Sequence, residues 1–316
     1  MESKIPSKVH IADITVRDGF QSETHVIPTE AKLFIINSLI DAGFKQMEVS
    51  AFAPPRFQPQ FRDWEEVVKG LPQRDDVTYS YVTTGKKATE RAFQAREKGY
   101  RVDRLVLGIL PASEKMNKTV VGMDYAETWA WIEDSVSKAH QLDMKVNAFL
   151  TGIFSPPEPG EEDIDLVGRA LEFTDRLLGM GIDDIEHPDH LGEAVPDKVY
   201  EYFLRVMERH PNPESHVFHV HDARGMGIAS YFAAMQAGVN RFETTIGGLG
   251  GWPANFVDGV PVAGLIGLVD KVLRLGRIVE RIVGRQLWSF CLGNEGLPGS
   301  GRKPKAQEYK TEERRK

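Results

Sequence analysis

The stretch Val217-Phe218-His219-Val220-His221-Asp222 decides how the rest of the 316-residue chain is read. It has the make-up of a β-strand, with two histidines two residues apart. Residues i and i+2 of a strand point to the same face, so His219 and His221 aim their imidazoles at one place. A neutral imidazole is the commonest protein ligand for a metal, and a pair on one strand can grip a single ion. The same pattern also fits a core histidine beside an exposed one. What other strand ends bring to the same place decides between the two.

Outward from this strand, strand-like and helix-like segments alternate along nearly the whole chain. Strands are expected over residues 9–16, 46–52, 77–83, 104–110, 145–151, 183–188, 216–222 and 241–246. Helices are expected over 30–42, 63–71, 87–98, 124–142, 163–179, 197–209, 228–237 and 262–275. Thr29 is the expected N-cap of the first helix. Ala42-Gly43-Phe44, Lys98-Gly99-Tyr100, Met180-Gly181-Ile182 and Ala237-Gly238-Val239 share one form. Each puts Gly just past a helix, where a left-handed backbone costs little, and then an apolar residue entering the next strand.

Eight strand–helix units predict an α/β fold, the (β/α)8 TIM barrel. A doubly wound open sheet is the alternative. It usually carries a Gly-rich phosphate loop after its first strand, and the first turn here is Arg17-Asp18-Gly19-Phe20-Gln21. Residues 1–276 are read as the barrel domain. Residues 277–292 form an expected C-terminal helical extension, amphipathic through Ile278, Ile282, Leu287 and Trp288. Residues 293–316 read as a disordered charged tail.

Composition limits the functions open to such a barrel. Hydrophobic residues make up 41% and charged residues 27%, as in ordinary globular proteins. A net charge of −7 argues against nucleic acid as a partner. An anionic substrate would then need local positive charge or a metal. The single cysteine, Cys291, permits no internal disulfide. No apolar run is long enough to span a bilayer, and the first residues lack the apolar core of a signal peptide. The expectation is a cytoplasmic homo-oligomer with a small-molecule substrate and no membrane partner.

Barrel active sites sit where strands end and the following loops begin. Near those ends stand Arg17-Asp18, Glu48, Asn147, Glu186-His187-Pro188-Asp189, His219 with His221, and Glu243 with Thr245. Asp18 and the histidine pair make an oxygen–nitrogen–nitrogen site, which suits an octahedral divalent ion with positions left for water and substrate. Such an ion stabilises an enolate as a Lewis acid. Arg17, beside it, is placed to steady the same developing charge. Taken singly, each residue also has a structural reading. Arg17-Asp18 fits an ion pair, Glu48 a buried acid paired with an arginine, and Asp189 a cap for the next helix.

Thr15-Val16-Arg17-Asp18-Gly19-Phe20-Gln21 resembles the signature at the end of the first strand in the DRE-TIM metallolyases. Within them the chain is most similar to the 3-hydroxy-3-methylglutaryl-CoA (HMG-CoA) lyases. The likeness runs from about residue 9 to about residue 251. It includes Glu48-Val49-Ser50-Ala51-Phe52, Pro55-Arg56-Phe57-Gln58-Pro59-Gln60, Ala112-Ser113-Glu114, Asp189, His219-Val220-His221-Asp222-Ala223-Arg224-Gly225 and Gly248-Leu249-Gly250-Gly251. The resemblance implies that Asp18, His219 and His221 hold Mg²⁺ or Mn²⁺ and that Arg17 stabilises an enolate oxygen. It implies that Gln21, Glu48 and Asp189 are polar residues about the site. The implied reaction cleaves a carbon–carbon bond of a 3-hydroxyacyl-CoA, giving an acetyl-CoA enolate and a keto product.

Three positions depart from the pattern. Trp252 stands where the lyase carries a cysteine that acts in acid/base transfer. Val260-Pro261 stands where Gly-Asn supplies a further metal ligand, unless Asn255 or Asp258 replaces it. Ala51 stands where a serine is found. We read this as a retained enolate-forming core with an altered substrate or altered proton delivery. His187 and His190 are candidate replacement acids or bases, and Trp252 a wall for a flat acyl group. The competing readings are an aldolase or Claisen-type condensing enzyme acting on a 2-keto acid, and a catalytically silent ligand-binding barrel.

Overall fold

The computed structural model describes residues 5–23, 25–56, 58–109, 111, 113–154 and 162–250, and the backbone of two short strands, Phe256–Val257 and Val260–Pro261, paired antiparallel. Trp252, Asn255, Asp258, Cys291, the helix expected over 262–275, the extension 277–292 and the tail 293–316 lie outside the described residues.

Eight parallel strands close into a barrel in chain order. They are β1 (His10–Asp13), β2 (Gln46–Ala51), β3 (Thr78–Val82), β4 (Arg104–Ile109), β5 (Lys145–Leu150), β6 (Asp184–Asp189), β7 (His216–Val220) and β8 (Arg241–Thr244). Around them lie α1 (Thr29–Asp41), α2 (Trp64–Gly70), α3 (Lys86–Glu97), α4 (Glu114–Val120), α5 (Tyr125–Gln141), α6 (Leu166–Gly179), α7 (Pro196–Arg209) and α8 (Gly227–Gln236). This is the (β/α)8 TIM barrel. Among the described residues no helix is long and apolar enough to cross a membrane.

The main core fills the layer between strands and helices, where Tyr79, Tyr81, Phe203 and Phe218 are fully buried. Gly43, Gly99, Gly181 and Gly238 have φ of 100°, 84°, 92° and 107°, so the four helix-ending glycines are where the repeated pattern put them.

Three local expectations change. Thr29 is not a cap: Pro28 precedes the helix, and Thr29 Oγ1 donates to Asp63 Oδ2 at 2.7 Å. The short α4 was not foreseen. It has little apolar periodicity and is started by Ser113, whose side chain accepts from the Met116 amide at 3.1 Å. The first strand stops at Asp13 rather than at residue 16, because Thr15–Gly19 coils into a π-helical turn.

The barrel interior is polar at its N-terminal end. Asp184 of β6 accepts from Arg104 of β4, from Asn147 of β5 and, at 2.8 Å, from Arg241 of β8. Burial alone would push the Asp184 carboxyl up, but Arg104 and Arg241 hold it below its ordinary value. Asp184 is thus the anion that makes the buried guanidinium of Arg104 and the partly buried one of Arg241 tolerable.

Asp184→Asn should therefore lower unfolding stability by about 3–5 kcal/mol, the cost of breaking a buried ion pair from one side. Urea denaturation measures it. Because the native pKa is depressed, the wild-type contribution is full above the unfolded-state value near ~3.9 and is lost as pH falls through the lower native value. The variant should lack that acid-limb component.

Candidate active site

The C-terminal end of the barrel starts from the turn after β1. Asp13 accepts from the Thr15 amide at 2.8 Å and from Thr15 Oγ1 at 2.9 Å. The amides of Arg17, Asp18 and Gly19 all donate to the Ile14 carbonyl, at 3.2, 2.8 and 3.2 Å. This wide coil is the kind of irregular turn found at functional sites. Thr15 Oγ1 also accepts from the Ile246 amide at 2.7 Å, tying the turn to the loop after β8.

The turn delivers Arg17 and Asp18 side by side into the lumen. Arg17 Nη1 donates to Asp18 Oδ1 at 2.8 Å, and Arg17 Nε to Glu48 of β2. Gln21 Nε2 donates to the same Asp18 oxygen at 2.6 Å. Asp18 Oδ2 faces His221 Nε2 at 3.6 Å, too far for a hydrogen bond. One carboxylate oxygen is thus fixed by protein donors while the other is directed at the histidines.

His219 and His221 converge as their spacing predicted, with ring centroids 4.9 Å apart. His219 Nδ1 lies 3.0 Å from Glu243 Oε2 and 3.1 Å from Glu186 Oε1. His221 Nδ1 lies 2.6 Å from the His190 carbonyl. Each ring is held through Nδ1, so its Nε2 lone pair points away from that anchor. Both Nε2 atoms are buried and have no hydrogen-bond partner among the described residues. Buried polar atoms are rarely left so. One ligand atom each from Asp18, His219 and His221 falls within a 4.8 Å cluster. Glu186, His219 and Glu243 form a second such cluster among the described residues, through the other side of His219.

The electrostatics favour a cation at this point. Burial pushes Asp18 up, but Arg17 and the two imidazoles draw it well below the usual carboxylate range. Burial raises Glu48, and the neighbouring Glu243 and Asp18 add to the rise against the pull of Arg17. Burial would lower His219, yet Glu186 and Glu243 lift it well above its ordinary value. The field that favours an extra proton on His219 also favours a metal ion at its Nε2, because the two compete for one lone pair.

The other expected residues are placed as follows. Asp189 is buried at the end of β6, and its two oxygens accept from the Glu193 and Ala194 amides at 3.0 and 2.9 Å. It holds the rim loop against β7. His190 stands beside His221, where burial, with His221 and His219 adding, pushes its ring down to about 3. His187 is not brought to the site. Neighbouring strand residues point to opposite faces, so with Glu186 turned inward His187 turns out against α7. There it contacts Tyr202 Oη at 2.8 Å and His216 Nδ1 at 3.2 Å. Sequence reasoning noted Glu186 and Glu243 without assigning them a task, and it missed Asp13. The signal for the two glutamates was available, since each stands two residues after a lumen-facing partner, Asp184 or Arg241.

Comparison with known proteins agrees with this geometry. Residues 8–268 match the family described as HMGL-like. The cytoplasmic 3-hydroxy-3-methylglutaryl-CoA lyase of Mus musculus is 29% identical over 249 residues, 79% of this chain and 70% of that protein. The crystal structure of the HMG-CoA lyase from Brucella melitensis superposes with a TM-score of 0.75 at 25% identity, covering 88% of this chain and 92% of that one. An HMG-CoA lyase from Acinetobacter baumannii, in complex with coenzyme A and 3-methylmalate, gives 0.72 at 26% identity over 93% and 98%. The turn after the first strand, the converging histidines and these matches place the chain in the HMGL-like family, as an HMG-CoA lyase-like enzyme.

Proposed function

We propose that this chain is a divalent-metal-dependent carbon–carbon lyase acting on a 3-hydroxyacyl-CoA that resembles HMG-CoA. The observation that carries the proposal is the convergence with Asp18 of the buried Nε2 atoms of His219 and His221, which have no hydrogen-bond partner among the described residues. This donor set fits Mg²⁺ or Mn²⁺, with positions left for substrate oxygens. A divalent ion held there supplies a Lewis acid for a substrate hydroxyl and carbonyl.

The chain's own residues do the rest. Arg17 is held in place by Glu48 and Asp18 and steadies negative charge on the thioester oxygen. Glu48 orients that guanidinium. Gln21 fixes Asp18, Glu186 and Glu243 fix His219, and Asp189 fixes the rim on which His190 and His221 sit. Removal of the 3-hydroxyl proton lets the C2–C3 bond break. Its electron pair passes to C2 and the thioester oxygen as the enolate, and C3 becomes the carbonyl carbon of a ketone, or of an aldehyde where C3 carries a hydrogen. A proton returned to C2 gives acetyl-CoA when C2 carries no substituent. Trp252 is read as part of the acyl pocket wall. With this reading goes the expectation of a cytoplasmic homo-oligomer.

Elemental analysis of purified protein tests the metal site. His219→Ala and His221→Ala should each lose bound Mg²⁺ or Mn²⁺ relative to wild type, and equal metal content in all three would overturn the assignment. Arg17→Met should retain the metal and the fold but cut HMG-CoA or related thioester cleavage by ~10²–10³-fold, the usual loss for one donor to a developing oxyanion. Near-normal turnover would remove Arg17 from the mechanism.

A further inference from the structure

The mouth of the barrel is divided. Around β6, β7, β8 and the turn after β1 it carries the charged cluster. Across the lumen, Ala51, Ala53, Phe61, Val82 and Val106 form a separate apolar cluster against which Phe149 packs. Phe149 of β5 is half-buried while the other five are buried. Its register settles which way it points. Asn147, two residues earlier, reaches Asp184 inside the lumen, so Phe149 is also inward. Its Cα partner on β6 is Glu186, which contacts His219. The ring therefore stands where the apolar wall meets the ligand cluster.

Space for the ring comes from β4. Gly108 is the Cα partner of Phe149 on that side, and a Cβ on it would fall 2.1 Å from Phe149 Cζ, with two more ring carbons within 2.7 Å. Any other residue at 108 would force the ring to move off β4. A glycine at an inward strand position often marks such a close approach. β2 contributes by shifting register between Glu48 and Ser50, so that Glu48 meets Arg17 while Ala51 joins the wall.

We propose that Phe149, seated on Gly108, is the specificity wall that receives an apolar branch on the carbinol carbon of the substrate and limits its length. The proposal rests on the lyase reading, since that reaction sets the carbinol carbon beside the histidines. The other five side chains back the wall, and the half-buried ring of Phe149 is the part of it left open. An apolar branch loses water against the ring, and a longer one must press on it.

The test compares 3-hydroxybutyryl-CoA, with a methyl branch, and 3-hydroxyoctanoyl-CoA, with a pentyl branch, by calorimetric Kd in the presence of Mg²⁺ and by cleavage rate. Phe149→Ala should shift the Kd ratio toward the pentyl compound by at least ~10-fold, the low end for one methylene in an apolar pocket. Phe149→Leu, a milder change for the fold, should shift it part of the way. Gly108→Ala should shift the ratio toward the methyl compound, and should lose that effect when combined with Phe149→Ala. An unchanged ratio in both Phe149 variants, an effect of Gly108→Ala that survives without the ring, or no binding of either thioester to wild type would overturn the proposal. Shifted Kd ratios without any cleavage would leave the wall standing and remove the lyase reading. Cleavage with unmoved ratios would do the reverse.

Discussion

Inside the closed barrel the guanidinium of Arg17 lies between Glu48 and Asp18, and the charge balance of the site starts from that contact. Asp18, Glu48, Glu186 and Glu243 are all buried at the same end of the lumen. A buried carboxylate without a cation would take up a proton rather than stay charged. Arginine is the one cation that cannot answer by losing its own proton. Arg17 therefore helps to keep Asp18 ionised, a task His221 and His219 share, and an ionised Asp18 is what the two histidines face. The acids that remain, Glu186 and Glu243, act through His219, holding its Nδ1 so that Nε2 is turned to the same point. Outer carboxylates of this kind orient a ligating imidazole and raise its basicity.

The two ends of the lumen treat buried charge in opposite ways. At the N-terminal end Arg104 and Arg241 close on Asp184, with Asn147 taking its other oxygen. That layer matches its charges within itself, although Arg104 Nε and Asn147 Oδ1 are buried without a hydrogen-bond partner among the described residues. At the C-terminal end two buried imidazole nitrogens have no hydrogen-bond partner among the described residues. A protein gains no stability from leaving them so. What sets the C-terminal end apart is convergence: a carboxylate oxygen of Asp18 and two imidazole nitrogens are aimed at one point, and that locates the chemistry.

The barrel was legible because its signals are local. Helix-ending glycines and the alternation of strand and helix patterns recur along the chain, and the structure keeps them. His219 and His221 were legible for the same reason, since i and i+2 on a strand must share a face. That rule also explains why His187 was misplaced. A histidine next to Glu186 in sequence cannot join it in the lumen, and His187 instead packs against Tyr202 and Phe203. Phe149 was not legible as a site residue, because its position depends on the pairing of β5 with Gly108 and Glu186. No pattern within one segment carries that information.

The adjacency of Arg17 and Asp18 follows the same logic in reverse. Had the first strand continued through both, their side chains would have faced opposite sides of the sheet, and only one could have reached the lumen. The π-helical turn removes that restriction. Three successive amides share the Ile14 carbonyl, so residues 17 and 18 come round together. Asp13 and Thr15 pin the start of the coil, and Thr15 in turn receives the amide of Ile246 from the loop after β8. The ion pair that organises the site is thus set by where the last strand ends as well as the first. Barrel closure, which joins β1 to β8, is what allows a dipeptide at the start of the chain to meet a histidine pair some two hundred residues later.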